Sequence, residues 1–212
     1  NCRGKFYKIF TGRNLKSMKA IVLAGGKSSR MGQDKALMKI NGKAMMQYVI
    51  DNLSQAFGEV FISGNRLDYP VSMKVIKDVN EQKGPMGGIR SALAYCGQDI
   101  FVCSCDMPFV SPELIRNMLQ RKEEGKISIA QYSGKIYPVL GIYPYAVLEA
   151  LTESIENDDL KMTRFLEQQN ARYIQYDESF KHQFLNINTL ENFQNEELIM
   201  NQRKKIKKNQ SK

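Results

Sequence analysis

From Met18 onward, short apolar runs alternate with amphipathic stretches. Ala20-Ile21-Val22-Leu23 is a continuous apolar run followed by glycines and predicts a buried strand over Lys19–Ala24. Met45, Met46, Val49, Ile50, Leu53 and Phe57 recur at helical spacing and predict a helix over Ala44–Phe57. Further strands are expected at Val60–Ile62, Met73–Ile76, Ile100–Cys103, Ile127–Ala130, Ile136–Tyr143 and Tyr173–Tyr176. Helices are expected at Gly88–Cys96, after Ser111-Pro112-Glu113, at Ala146–Ile155 and Lys161–Gln168, and in a closing segment Thr189–Ile199. Ser111-Pro112-Glu113 has the chemistry of a helix start: a serine cap, a proline at the first helical position and an acid in the first turn.

Strands alternating with helices predict an α/β fold with a mostly parallel central sheet. Such sheets bind ligands beyond the carboxyl ends of their strands, near the point where strand order reverses. Four polar features fall at such ends: Gly25 after the first strand, Asn65 after the second, Asp78 after the third and Asp106 after the fourth.

Charge at first suggests a nucleic-acid partner, because the chain of 212 residues carries +9. Its location removes most of that suggestion. Residues 1–17 hold +5 and residues 201–212 hold +6, which leaves residues 18–200 at −2. We therefore expect a basic N-terminal extension over 1–17, disordered or non-native, a single domain over 18–200, and a basic C-terminal tail over 201–212. No apolar stretch reaches the roughly 20 residues that span a bilayer, and no secretory signal is evident, so a cytoplasmic protein with no membrane partner is expected. Cys103-Ser104-Cys105 is too tightly spaced for an ordinary zinc pair and reads as buried small residues on a strand.

The segment richest in chemistry is Leu23-Ala24-Gly25-Gly26-Lys27-Ser28-Ser29-Arg30-Met31-Gly32-Gln33-Asp34-Lys35-Ala36-Leu37. It leaves a strand with three glycines, which let an anion approach backbone N–H groups, and adds two cations, Arg30 and Lys35. Arg30 can clamp phosphate oxygens in a fork and Lys35 acts as a point charge, so the string suits a triphosphate. It is neither G-x-x-x-x-G-K-[ST] nor G-x-G-x-x-G, which excludes the P-loop and the dinucleotide fingerprint.

The string L-A-G-G-x-S-S-R-M-G-x-D-K-x-L resembles the signature of the molybdenum cofactor guanylyltransferases. The resemblance continues through Asn65-Arg66, Val75-Ile76-Lys77-Asp78, Gly84-Pro85-Met86-Gly87-Gly88, Cys105-Asp106-Met107-Pro108 and Asn186-Ile187-Asn188-Thr189, covering about residues 18–195. It implies a Rossmann-like three-layer sandwich of the nucleotide-diphospho-sugar-transferase type. It also implies a reaction that transfers GMP from GTP to the terminal phosphate of molybdopterin and releases pyrophosphate.

In that reading Leu23, Ala24, Gly25, Gly26, Arg30, Lys35, Asn65, Asp78 and Asp106 bind GTP. Arg30, Lys35 and Asp106 are catalytic, Asp106 is the Mg²⁺ ligand, and Asn186 and Asn188 face the molybdopterin. Asp78 reads equally well as a strand-end acid capping the next loop, and the late asparagines as an Asx turn. Gly25 in the middle of Ala24-Gly25-Gly26 leaves room for a purine, where users of CTP usually carry Ala-Ala-Gly. Ser28-Ser29-Arg30-Met31 departs from the Gly-Thr-Arg-Leu of sugar guanylyltransferases. Lys161 and Arg164 stand where the family often carries arginines around a glycine, so the pterin half aligns less firmly. Other readings are a related nucleotidyltransferase with CTP or another acceptor, and a non-catalytic nucleotide-binding protein. A monomer or weak oligomer is expected, with transient contacts to molybdopterin-synthesis proteins and apo-molybdoenzymes.

Overall fold

A computed structural model describes residues 18–24, 39–40, 42–66, 68–78 and 83–186. The expected helix Thr189–Ile199, both basic ends and most of the glycine-rich string lie outside the described residues.

Seven strands form one sheet in the order β5-β4-β1-β6-β8-β7-β9: β1 (Lys19–Leu23), β4 (Val60–Ser63), β5 (Lys74–Ile76), β6 (Ile100–Ser104), β7 (Ser128–Tyr132), β8 (Lys135–Tyr143) and β9 (Arg172–Tyr176). A short hairpin, β2 (Lys39–Ile40) and β3 (Lys43–Ala44), stands apart and was not visible in the apolar pattern. The sheet is parallel except at β8, which runs against both β6 and β7. A run such as Ala20–Leu23, buried at every position, fits an inner strand covered on both faces.

Alternation along β1 assigns the two faces. Ala20 and Val22 pack with α1 (Met45–Ser54) and α3 (Pro112–Arg121). Ile21 and Leu23 pack with α2 (Gly84–Cys96), α4 (Leu148–Glu156) and α5 (Met162–Gln168). The result is a three-layer α/β/α sandwich.

Several boundaries differ from the apolar pattern for local reasons. Helix α2 begins at Gly84 rather than Gly88, because Pro85 fits a first helical turn, where the missing N–H has no helical partner to lose. Helix α1 ends at Ser54, short of Phe57, and the stretch from Tyr145 enters α4 through a 3-10 turn, Tyr145–Val147. A second 3-10 segment, Glu178–Phe184, follows β9. Ser111 caps α3 as its sequence suggests: its Oγ accepts from Leu114 N at 3.2 Å.

Strand β8 carries an irregularity that the periodicity hid. Ile129 pairs with Gly141 and the next residue, Ala130, pairs with Tyr137, so Pro138, Val139 and Leu140 bulge from the β7 ladder. Proline cannot donate to a ladder and is tolerated at such a bulge. The freed Pro138 carbonyl accepts from the buried Tyr143 hydroxyl at 2.6 Å.

Candidate active site

The strands β5, β4, β1 and β6 lie side by side and parallel, so residues following them share one edge of the sheet. Ala24, Asn65, Asp78 and Asp106 are there. The chain leaves β1 toward β4 and β5, then returns to the other flank of β1 at β6, which makes this edge the place where strand order reverses. Backbone hydrogen bonds continue the ladder past the strand ends: Ala24 N to Ser63 O at 2.9 Å, Gly64 N to Ile76 O at 3.2 Å, and Cys105 N to Leu23 O at 3.0 Å. The polar residues therefore extend from a rigid rim.

Each candidate has a distinct setting. The Leu23 side chain is buried among the α2-side residues and its carbonyl is engaged by Cys105 N. The Ala24 N–H is likewise engaged, and its carbonyl accepts from the Tyr69 hydroxyl at 3.4 Å. Neither main chain offers an N–H pointing away from the sheet here, so phosphate donors would have to come from later in the string. Gly25, Gly26, Arg30 and Lys35 lie outside the described residues, as does Asn188. Asn65 is exposed beyond β4. Asn186 is exposed just past the 3-10 segment. That segment is tied to the loop after Asp106 by a hydrogen bond from Ser111 N to Gln183 Oε1 at 2.8 Å. The same loop is held from α1, where Asn52 Nδ2 donates to Pro108 O at 3.4 Å.

Asp106 is half-buried and its Oδ1 oxygen is sealed from solvent. Among the described residues no group of three or more His, Cys, Asp or Glu side chains could by itself hold a metal ion. A single hard carboxylate oxygen at a loop rim suits an ion that keeps waters and takes substrate phosphate oxygens for its other positions, as Mg²⁺ does. Cys103 and Cys105, on either side of Ser104, are buried, and burial pushes the Cys103 thiol far up, away from the thiolate a nucleophile needs.

Asp78 is buried against the start of α2. Its Oδ1 accepts from Ser91 Oγ at 3.0 Å. An ideal Cβ on Gly87 would lie 3.0 Å from Asp78 Oδ2 and 3.2 Å from Oδ1, so only glycine lets the carboxylate sit there unmoved. A Cβ on Gly88 would meet Ser63 Oγ at 3.0 Å and Leu23 Cδ2 at 3.1 Å, and Ser63 Oγ donates to Gly88 O at 3.1 Å. The two adjacent glycines thus let α2 press onto β1 and β4 while receiving the acid from β5. Lys161 and Arg164 lie on the turn and helix after α4, where Arg164 pairs with Asp159 at 3.1 Å. Lys83, which precedes α2, reaches Asp158 on the same turn at 2.7 Å.

The sequence reading did not single out Ser63, Ser91, Asn52 or Gln183. Ser91 had one available signal, its position one helical turn after Gly87 on the same face of α2. The other three act through contacts between distant segments.

Comparison with known proteins places this geometry in a family. The family model described as a MobA-like NTP transferase domain matches residues 20–173. A protein of Pelotomaculum thermopropionicum named "Probable molybdenum cofactor guanylyltransferase" is 31% identical over 179 residues, covering 80% of this chain and 86% of its own length. A Vibrio parahaemolyticus protein named molybdenum cofactor guanylyltransferase is 33% identical over 177 residues, covering 81% and 90%. Among solved structures, the Aquifex aeolicus protein Aq1419 superposes with a TM-score of 0.74 at 30% identity, over 85% of this chain and all of that one (100%). Molybdopterin-guanine dinucleotide biosynthesis protein A of Archaeoglobus fulgidus shares the fold with a TM-score of 0.72 at 24% identity, over 87% of this chain and 100% of its own. With the family model spanning most of the described sheet and its helices, the chain belongs to the MobA-like NTP transferase domain family of nucleotidyltransferases.

Proposed function

We propose that the protein transfers the GMP group of GTP to the terminal phosphate of molybdopterin, releasing pyrophosphate and forming molybdopterin guanine dinucleotide. The observation that carries this reading is identity above 30%, over four-fifths of the chain, to proteins named molybdenum cofactor guanylyltransferase. The gathering of Asp106, Asp78 and Asn65 on one sheet edge supports it.

The chemistry asks little of the protein beyond placement and charge. An oxygen of the acceptor phosphate forms a bond to the α-phosphorus of GTP as the bond from that phosphorus to the β-phosphate bridging oxygen breaks. Pyrophosphate leaves with the bonding electrons. The attacking group is already an anion, so no general base is required. Asp106 would hold Mg²⁺, which when bound neutralises phosphate charge. Arg30 and Lys35 would grip the triphosphate and stabilise the leaving pyrophosphate. Asp78 and Asn65 would hold the nucleoside, and Asn186 and Asn188 would face the acceptor. The basic ends at 1–17 and 201–212 take no part in this scheme.

The test is transfer to molybdopterin by wild type and by Asp106→Ala, with GTP, CTP and ATP as donors. GTP preference and loss of at least ~100-fold in kcat for Asp106→Ala are expected, since a group stabilising developing charge contributes on that scale. A clear preference for CTP would overturn the guanylyl assignment. Equal rates for the two proteins would overturn the role of Asp106.

A further inference from the structure

A carboxylate that orients a nucleotide must itself be held, and the helix beside Asp78 aims a hydroxyl at it. Ser91 is almost fully buried, 3% exposed, and Asp78 is 9% exposed. The Ser91 hydroxyl donates to Asp78 Oδ1 at 3.0 Å, while Gly87, one turn earlier on the same face of α2, lies against Asp78 Oδ2. Helix α2 has no acid in its first turn and no side-chain cap, and Asp78, arriving from the end of β5, brings a carboxylate beside its positive end. Serine is not a favoured helix-interior residue, and a buried hydroxyl is costly unless it makes a hydrogen bond. Its placement here is accounted for by the carboxylate it meets.

We infer that Ser91 is a positioning residue: its hydroxyl fixes the Asp78 carboxylate in the orientation that receives the donor nucleotide. The inference rests on the proposed use of GTP and on Asp78 as one of its ligands, and it adds a residue outside the recognised motifs. Ser91 touches no substrate. It acts by restricting the rotation of Asp78, so that a hydrogen bond to the nucleoside is formed without first ordering the carboxylate. Gly87 gives the carboxylate its space and Ser91 gives it its direction.

The experiment measures the Kd of Mg²⁺–GTP by calorimetry for wild type, Ser91→Ala, Ser91→Thr, Asp78→Asn and the Ser91→Ala/Asp78→Asn pair, each checked for folding by thermal melting. Ser91→Ala is expected to weaken GTP binding about fivefold to tenfold, the size of one ordinary net hydrogen bond, because Ser91 acts on the nucleotide only through Asp78. Ser91→Thr, which keeps the hydroxyl, is expected to restore at least half of the lost binding free energy. In the Asp78→Asn background, Ser91→Ala is expected to weaken GTP binding less than twofold, because the group it orients has already lost its charge. An equal loss in both backgrounds would show Ser91 acting through helix stability and would overturn the inference, as would an unchanged Kd for Ser91→Ala. If Asp78→Asn bound GTP as wild type does, Asp78 would not be a nucleotide ligand and the inference would fall while GTP use stood. If the folded wild type bound no GTP, the proposed function itself would fall and take the inference with it.

Discussion

Replacing Gly87 with alanine brings two opposing effects onto one atom, and the structure supplies the contacts from which their balance follows. The added methyl would lie 3.0 and 3.2 Å from the two Asp78 carboxylate oxygens and 3.1 Å from Lys83 Cβ, against 3.4–4 Å for ordinary contact. The carboxylate must therefore retreat by a few tenths of an ångström from the place where Ser91 holds it. Overpacking of this kind costs about 1–3 kcal/mol. Alanine in place of glycine within a helix returns up to about 1 kcal/mol. In the wild-type background the net expectation is a loss of about 1 kcal/mol. In an Asp78→Ala background the clash with the carboxylate is gone and the gain in helix propensity remains. The Lys83 contact is met by the added methyl in both backgrounds, and the stranded Ser91 hydroxyl is present in both Asp78→Ala proteins, so each cancels from the coupling. The coupling between positions 78 and 87 should then be about 2 kcal/mol, in the upper part of the range for touching residues. Urea unfolding followed by circular dichroism on the four proteins, with GTP absent and m-values compared, measures it directly. A coupling under about 0.5 kcal/mol would refute the claim that Gly87 is glycine because of Asp78.

Two further predictions concern tyrosines whose settings differ. Tyr143→Phe removes the hydroxyl that serves the Pro138 carbonyl at the β8 bulge and leaves the ring packing in place; a loss of about 1–2 kcal/mol is expected, seen as a fall of about 2–4 °C in Tm per kcal/mol, and an unchanged Tm would contradict it. The Tyr132 hydroxyl donates to Glu178 Oε1 at 2.6 Å, and that hydrogen bond, helped by burial, pushes its pKa up to about 12. Because the folded value is raised, the contribution to stability is complete below the unfolded tyrosine pKa near ~10 and is lost as pH climbs from there through the folded value. Tyrosinate absorbance should therefore show a late-titrating group that moves back toward ~10 in Glu178→Gln; identical titrations would remove Glu178 as the cause.

The local chemistry of the chain announced a good part of this molecule. The buried run at Ala20–Leu23, the helical spacing from Met45 to Leu53 and the serine–proline start at Ser111 each form the expected element. A local signal was missed at the start of α2, expected from Gly88 although Pro85 opens the helix at Gly84. Other features carried no local signal. The bulge at Pro138–Leu140 keeps the apolar character of a strand, so periodicity reads through it. The Tyr145–Val147 turn continues the spacing of the helix it precedes.

For the candidate site the division follows from the distance over which each interaction acts. Which residues could carry charge, ligate a hard cation or cradle phosphate is a matter of side-chain type and near neighbours, and the motifs from Leu23 to Lys35, at Asp78 and at Asp106 held that information in the sequence alone. That Asp78, Asn65 and Asp106 share one rim depends on the order β5-β4-β1-β6, set by packing between segments many residues apart. Whether Asp78 stands against Gly87 and Ser91 depends on the phase of α2 relative to the end of β5, which no periodicity within either element contains. The sequence by itself determined the donors, acceptors and charges available; only the tertiary structure decided which of them meet, because those contacts are made between surfaces and not along the chain.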